Sequence, residues 1–169
     1  MSTVPRVAAR TLREAFALQP DLLDAFWDLY GTVWMDGCVD HATKEVARLR
    51  NARVPDCGYC KRVRFSLARD EGLSEDEAGM VDEGFEESGL TERHKAAVRL
   101  ADRFLSIPGT ARRDPPGGFS PAEQVELDAA LAMFLGFAKM LITLGLEPEG
   151  MPVTVVPTPG SQRREVAAP

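Results

Sequence analysis

Apolar side chains recur at steps of three and four along Leu22, Leu23, Phe26, Trp27, Tyr30, Val33 and Trp34. That period predicts a helix with a wide apolar stripe. Pro20 suits its first position, and Asp21 and Asp24 sit near its positive end. The aromatic residues in it read as core rather than as a cofactor box. Gly37 breaks the pattern, and Asp40 can cap a second helix over about 41–53 with Ala42, Val46 and Leu49 inward and Glu45 and Arg48 on its margin. Pro55 stops that helix. After the turn Val54-Pro55-Asp56 the segment CGYCKRVRFSLARDEG predicts a third helix, capped by Asp56 and closed by Gly72. Ser74 with Glu77 has the spacing of a capping box and starts a short fourth helix. Thr91-Glu92 opens a fifth, with Val98, Ala101 and Leu105 inward. Residues 108–118 carry turn chemistry without periodicity and read as a loop. Ser120-Pro121-Ala122-Glu123 then opens a last long helix.

The expected fold is therefore all-α, in a single domain. Residues 1–19 form an N-terminal segment, 20–147 the helical domain, and 148–169 a proline-rich tail that is extended or disordered. Val153 to Val156 is the sole strand candidate, short and flanked by prolines.

Composition adds three constraints. With 169 residues, 44% of them hydrophobic, the chain can bury a core without staples. Twenty basic against 26 acidic residues give a net charge of −6, which argues against a nucleic-acid platform. The run from Ala129 to Leu146 approaches membrane-span length, but it contains Lys139 and is flanked by Asp128 and Glu147. It reads as a buried core or subunit-interface helix, apolar all round. The N-terminus lacks the apolar stretch of a secretory signal, so the expected compartment is the cytoplasm.

The candidate chemistry lies in Cys57-Gly58-Tyr59-Cys60. A thiol reacts as thiolate, and a helix start with cations nearby favours that form. On a continuous helix Lys61 stands one turn from Cys57, and Arg64 one turn from Cys60. The i, i+3 spacing puts both sulfurs on one face, close enough for a disulfide. No β-strand precedes the pair, so a thioredoxin-type setting is disfavoured. A competing reading is a structural zinc site built from Cys38, His41, Cys57 and Cys60. The helix between the two pairs would have to fold back for them to meet. A third is a catalytically silent helical oligomer that uses the site as a ligand pocket.

The stretch KEVARLRNARVPDCGYC, a glutamate helix leading through a short turn into C-x-x-C, resembles the alkylhydroperoxidase D-like (AhpD-like) group of the carboxymuconolactone decarboxylase superfamily. The resemblance extends weakly over about 20–146. It implies an all-α homo-oligomer whose thiol members reduce hydroperoxides or relay electrons from a thiol or dithiol reductant, with no metal and no cofactor. By the same resemblance Cys60 is the peroxidatic thiol, Cys57 the resolving thiol and Glu45 a proton-relay carboxylate. This chain departs from the pattern at Arg64 and Tyr59, where the family often has histidines. Arginine stays protonated at neutral pH, so Arg64 is assigned to stabilising the Cys60 thiolate or binding an anionic group. His41, four residues before Glu45 on one helix face, is a substitute proton shuttle.

Overall fold

The structure is a computed structural model that describes residues 4–106 and 117–161. Within them the chain runs α1 (Leu12–Phe16), α2 (Pro20–Met35), α3 (His41–Arg53), α4 (Gly58–Arg62), β1 (Val63–Phe65), α5 (Ser66–Asp70), α6 (Glu75–Gly79), a 3-10 turn (Phe85–Glu87), α7 (Glu92–Leu105), α8 (Pro121–Leu144) and β2 (Thr154–Val156). The fold is all-α apart from one two-stranded parallel sheet.

Capping chemistry sets most of the helix starts. Asp40 Oδ1 accepts from Thr43 N at 2.7 Å, and Thr91 Oγ1 from His94 N at 3.2 Å. Ser74 with Glu77, and Ser120 with Glu123, each complete the reciprocal capping box. Pairs of this kind satisfy N–H groups that a helix start leaves unbonded. Gly145 ends α8 in the left-handed region, at φ 68°.

α3 lies at the centre, against α4, α5, α7 and α8. Its sequence reads as amphipathic, yet every residue from Ala42 to Asn51 is buried, charged ones included. The charges are accommodated in pairs. Lys44 Nζ meets Glu126 at 2.6 Å and the Val33 carbonyl at 2.8 Å. Arg48 meets Glu45, and Arg50 meets Asp102 on α7. Buried ions are tolerated only when paired and hydrogen-bonded. The apolar core wraps this helix with Trp34, Val46, Val98, Leu127, Leu131 and Phe134.

Three expectations change. The segment 57–72 is not one helix. α4 ends at Arg62, Val63–Phe65 extend as a strand, and α5 follows. Asp56 does not cap it; its φ is 57°, and Cys57 takes the cap position. The tail is extended but docked. Its strand pairs Val63 with Thr154 and Phe65 with Val156, and buried Thr158 bonds Leu67 N and Ser66 Oγ. Gly160, at φ 84°, lies so close to α2 that a Cβ there would stand 2.8 Å from Met35 Cγ and 3.0 Å from Gly31 Cα. Finally, α8 is one-sided rather than buried all round. Leu127, Leu131, Phe134, Ala138 and Leu141 face inward, whereas Val125, Ala129, Ala132 and Gly136 are exposed. α8 is also the one helix among the described residues long and apolar enough to cross a membrane. The expected loop over 108–118 falls mostly outside the described residues, as does the tail beyond 161.

Candidate active site

The turn after α3 places the two cysteines. Cys57 N donates to the Ala52 carbonyl at 3.1 Å, which anchors the turn to the end of α3. Cys57 then caps the five-residue α4, its Sγ accepting from Cys60 N at 3.2 Å. The same turn of helix brings the sulfurs to 2.7 Å, within hydrogen-bond distance of each other. Both thiols are free. Cys57 is fully buried, whereas Cys60 is 7% exposed and stands on the wall of a cavity.

The two thiols titrate in opposite directions. The hydrogen bond from Cys60, aided by the Cys60 backbone N–H, holds Cys57 below an ordinary thiol. Cys60 is pushed well up because ionising it would surrender its bond to Cys57, and because it is buried. The contact thus favours a thiolate on Cys57 over one on Cys60.

The cation that faces Cys60 comes from α3. Arg48 donates from Nη1 to the Cys60 carbonyl at 2.7 Å and from Nη2 to the Val63 carbonyl at 2.6 Å. Its Nε and Nη2 also grip both oxygens of Glu45, each at 2.7 Å. The attraction of Glu45 keeps the guanidinium charged despite its burial, and Arg48 lowers the cost of a Cys60 thiolate. Glu147, beyond α8, accepts from Gly58 N at 2.7 Å, and its charge opposes ionisation of both thiols.

The cavity beside Cys60 holds about 200 Å³. Trp27, Tyr30, Tyr59, Phe65, Phe134 and Phe137 supply most of its wall, and Val156, Pro157 and Pro159 of the docked tail close one side. Tyr30 and Tyr59 stack on Phe137 at 5.8 and 6.4 Å, and Trp34 meets Phe65 edge-on at 4.7 Å. Burial pushes the Tyr30 and Tyr59 phenols upward, so both stay neutral near pH 7. Arg48 and the buried amide of Asn51, whose Oδ1 has no hydrogen-bond partner, add polar groups to this wall.

The expected site residues divide here. Cys57, Cys60 and, through Arg48, Glu45 come together. Glu45 does not line the cavity: its oxygens are taken by Arg48 and by Phe65 N at 3.3 Å. Arg64 does not face the thiols, because α4 ends two residues before it and the i+4 relation fails. In β1 it points to Glu75, at 2.6 Å, and to the Lys61 and Val63 carbonyls. Lys61 pairs with Asp56 instead of Cys57. His41 is bound through Nδ1 to Glu71 at 2.6 Å rather than to Glu45. The zinc arrangement is not assembled either: Cys38 is tied to Glu126, and no group of three metal-ligating side chains meets among the described residues. Arg48 was the signal missed. Its i, i+3 relation to Glu45 was legible, but its burial under Cys60 depends on the chain folding back after Pro55.

A buried glutamate helix, a short turn and a C-x-x-C at the next helix start form a specific constellation. The sequence profile of the Carboxymuconolactone decarboxylase family matches residues 20–103, about half of the chain. The chain belongs to this family. The family's matched region ends before α8, and it excludes α1 and the docked tail. Two uncharacterized proteins of Mycobacterium tuberculosis, from strains CDC 1551 / Oshkosh and ATCC 25618 / H37Rv, are each 38% identical over 94 residues. The alignment covers 53% of this chain and 33% of each relative, so the chain spans about a third of the length of the curated relatives it matches. No solved structure matches the chain.

Proposed function

We propose that this member of the carboxymuconolactone decarboxylase family is a thiol-dependent hydroperoxide reductase that works through Cys57 and Cys60. The observation that carries the reading is the pair of free sulfurs 2.7 Å apart, one of them on the wall of an aromatic cavity.

The chemistry runs between the two sulfurs. Cys57 thiolate takes the Cys60 proton across their hydrogen bond, leaving Cys60 as thiolate beside Arg48. Cys60 attacks the distal oxygen of the hydroperoxide; the S–O bond forms as the O–O bond breaks. The alkoxide that leaves takes the proton now on Cys57 and departs as the alcohol. Cys57 thiolate then attacks the Cys60 sulfenic acid, forming the disulfide and expelling hydroxide, which solvent protonates to water. A thiol or dithiol reductant restores both thiols by exchange. Glu45 acts as a positioning residue in this scheme: it fixes Arg48 and keeps it charged. That role differs from the proton relay the family resemblance implied.

Such a cycle requires a compartment in which the disulfide is reduced again, and the cytoplasm meets that need. Self-association would use the exposed face of α8, where Val125 is 71% exposed. The reading is tested by peroxide consumption with dithiothreitol as reductant. Cys60→Ser is expected to abolish turnover, and Cys57→Ser to leave a sulfenic acid on Cys60 that dimedone traps. A Cys57→Ser/Cys60→Ser protein that consumed peroxide at the wild-type rate would refute the assignment.

A further inference from the structure

Beside the thiol cavity lies a second apolar groove, of about 460 Å³, which shares Trp27, Tyr59 and Phe137 with it as a common wall. Its far side is built by α1 and the segment before it, outside the region that the family profile matches. Leu12 and Leu141 form the apolar floor. Arg10 and Arg13 stand on the rim.

The rim is cationic on an acidic molecule. The net charge is −6, yet no carboxylate among the described residues lines this groove. Neither guanidinium is in an ion pair among the described residues, a condition that Arg6 and Arg69, bonded to backbone carbonyls, share. The nearby Glu14 bonds the Arg10 backbone N–H, at 2.7 Å, rather than its side chain. Asp24 and Asp28 line a separate groove beyond Trp27, which Arg13 also borders and Arg10 does not. Arg13 lies over the Trp27 ring, 6.0 Å from its centroid, so the cation adjoins the wall shared with the thiol cavity.

An apolar trough with two arginines on its rim, parted from the thiol cavity by an aromatic wall, suits a ligand with an anionic head and an apolar body. We propose that it binds carboxylate-bearing amphiphiles, with the carboxylate at Arg10 and Arg13 and the apolar body along the Trp27, Tyr59 and Phe137 wall. The hydroperoxides reduced at Cys60 are then of that class, their peroxide remote from the carboxylate. Only this last clause rests on the thiol reading above. Arginine suits the task because its planar fork pairs with carboxylate through two hydrogen bonds.

Titration calorimetry on the reduced full-length chain tests the groove without using turnover. Decanoate is expected to bind about tenfold more tightly than 1-decanol, the difference that one charge-assisted pair supplies. Arg10→Gln/Arg13→Gln should erase that preference, with its helix content and melting curve confirming the fold. Equal affinity for acid and alcohol, or a preference that survives in the double variant, would overturn the proposal. Cys57→Ser/Cys60→Ser protein should keep the preference, because binding does not need the thiols. In turnover, the ratio of kcat/KM for linoleic acid hydroperoxide over its methyl ester should exceed one and collapse in the arginine variant. If turnover fails for both while arginine-dependent decanoate binding persists, the peroxidase reading falls and the anion site stands.

Discussion

Arg48 and Glu45 hold each other through two hydrogen bonds of 2.7 Å in the core of α3, and the same guanidinium reaches the Cys60 carbonyl at 2.7 Å. A carboxylate only 1% exposed thereby fixes the cation nearest the thiol that lines the cavity. The pair ties the central helix to the loop that carries the cysteines, so it links the fold to the chemistry.

Removing one partner of that pair leaves the other charge buried without compensation. Glu45→Gln should therefore lower stability by about 3–5 kcal/mol in urea denaturation. Glu45→Gln/Arg48→Met should recover part of that loss, since an apolar side chain of similar length carries no stranded charge. If Glu45 instead served only as a proton donor at the surface of the site, Glu45→Gln would slow turnover with no change in the denaturation midpoint.

The opposed thiols predict a stability profile with a maximum. Cys57 is held below the ordinary thiol value of 9.0 and Cys60 is raised above it. Between the folded pKa of Cys57 and pH 9 the unfolded chain binds two thiol protons and the folded chain one, so stability rises with pH. Above pH 9 the unfolded chain has released both while folded Cys60 keeps its proton, so stability falls. The difference in unfolding free energy between reduced wild type and Cys57→Ser/Cys60→Ser, followed from pH 6 to 10, should peak near pH 9. A flat difference would show that the thiols are not coupled.

Gly160 is the latch of the docked tail. Gly160→Ala places a Cβ at φ 84° against Met35 and Gly31, at a cost of about 1–3 kcal/mol. The tail contributes Pro157 and Pro159 to the cavity wall, so its release should also speed iodoacetamide labelling of Cys60. Unchanged labelling together with unchanged stability would mean that the tail does not guard the thiol.

Much of the fold was legible in short-range chemistry. Pro20, Asp40, Ser74, Thr91 and Ser120 all open helices, because caps act over three or four residues. The break after α4 was not legible in that way. Val63 to Phe65 become a strand by pairing with Thr154 to Val156, about ninety residues away, and no local pattern encodes that partner. The same break explains the site. Placing Arg64 beside Cys60 assumed a continuous helix, and once α4 ends at Arg62 the guanidinium swings to Glu75. Arg48 takes the place beside Cys60 from the preceding helix, a relation set by tertiary folding. The burial of α3 was hidden for a related reason: Lys44 and Arg50 find their partners Glu126 and Asp102 far along the chain.

Cys38 and His41 are held by carboxylates, Glu126 and Glu71, away from the thiol pair. Prolonged treatment with a zinc chelator should therefore leave the melting curve unchanged, and Cys38→Ser should retain peroxide turnover. Unfolding on chelation would restore the zinc-stapled reading.

The most direct test adds one equivalent of cumene hydroperoxide to fully reduced protein and follows it by intact mass and peptide mapping. The account predicts loss of two hydrogens with Cys57 and Cys60 joined in one disulfide-linked peptide, and one equivalent of the alcohol released. Both thiols still open to alkylation after the peroxide has been offered would contradict it.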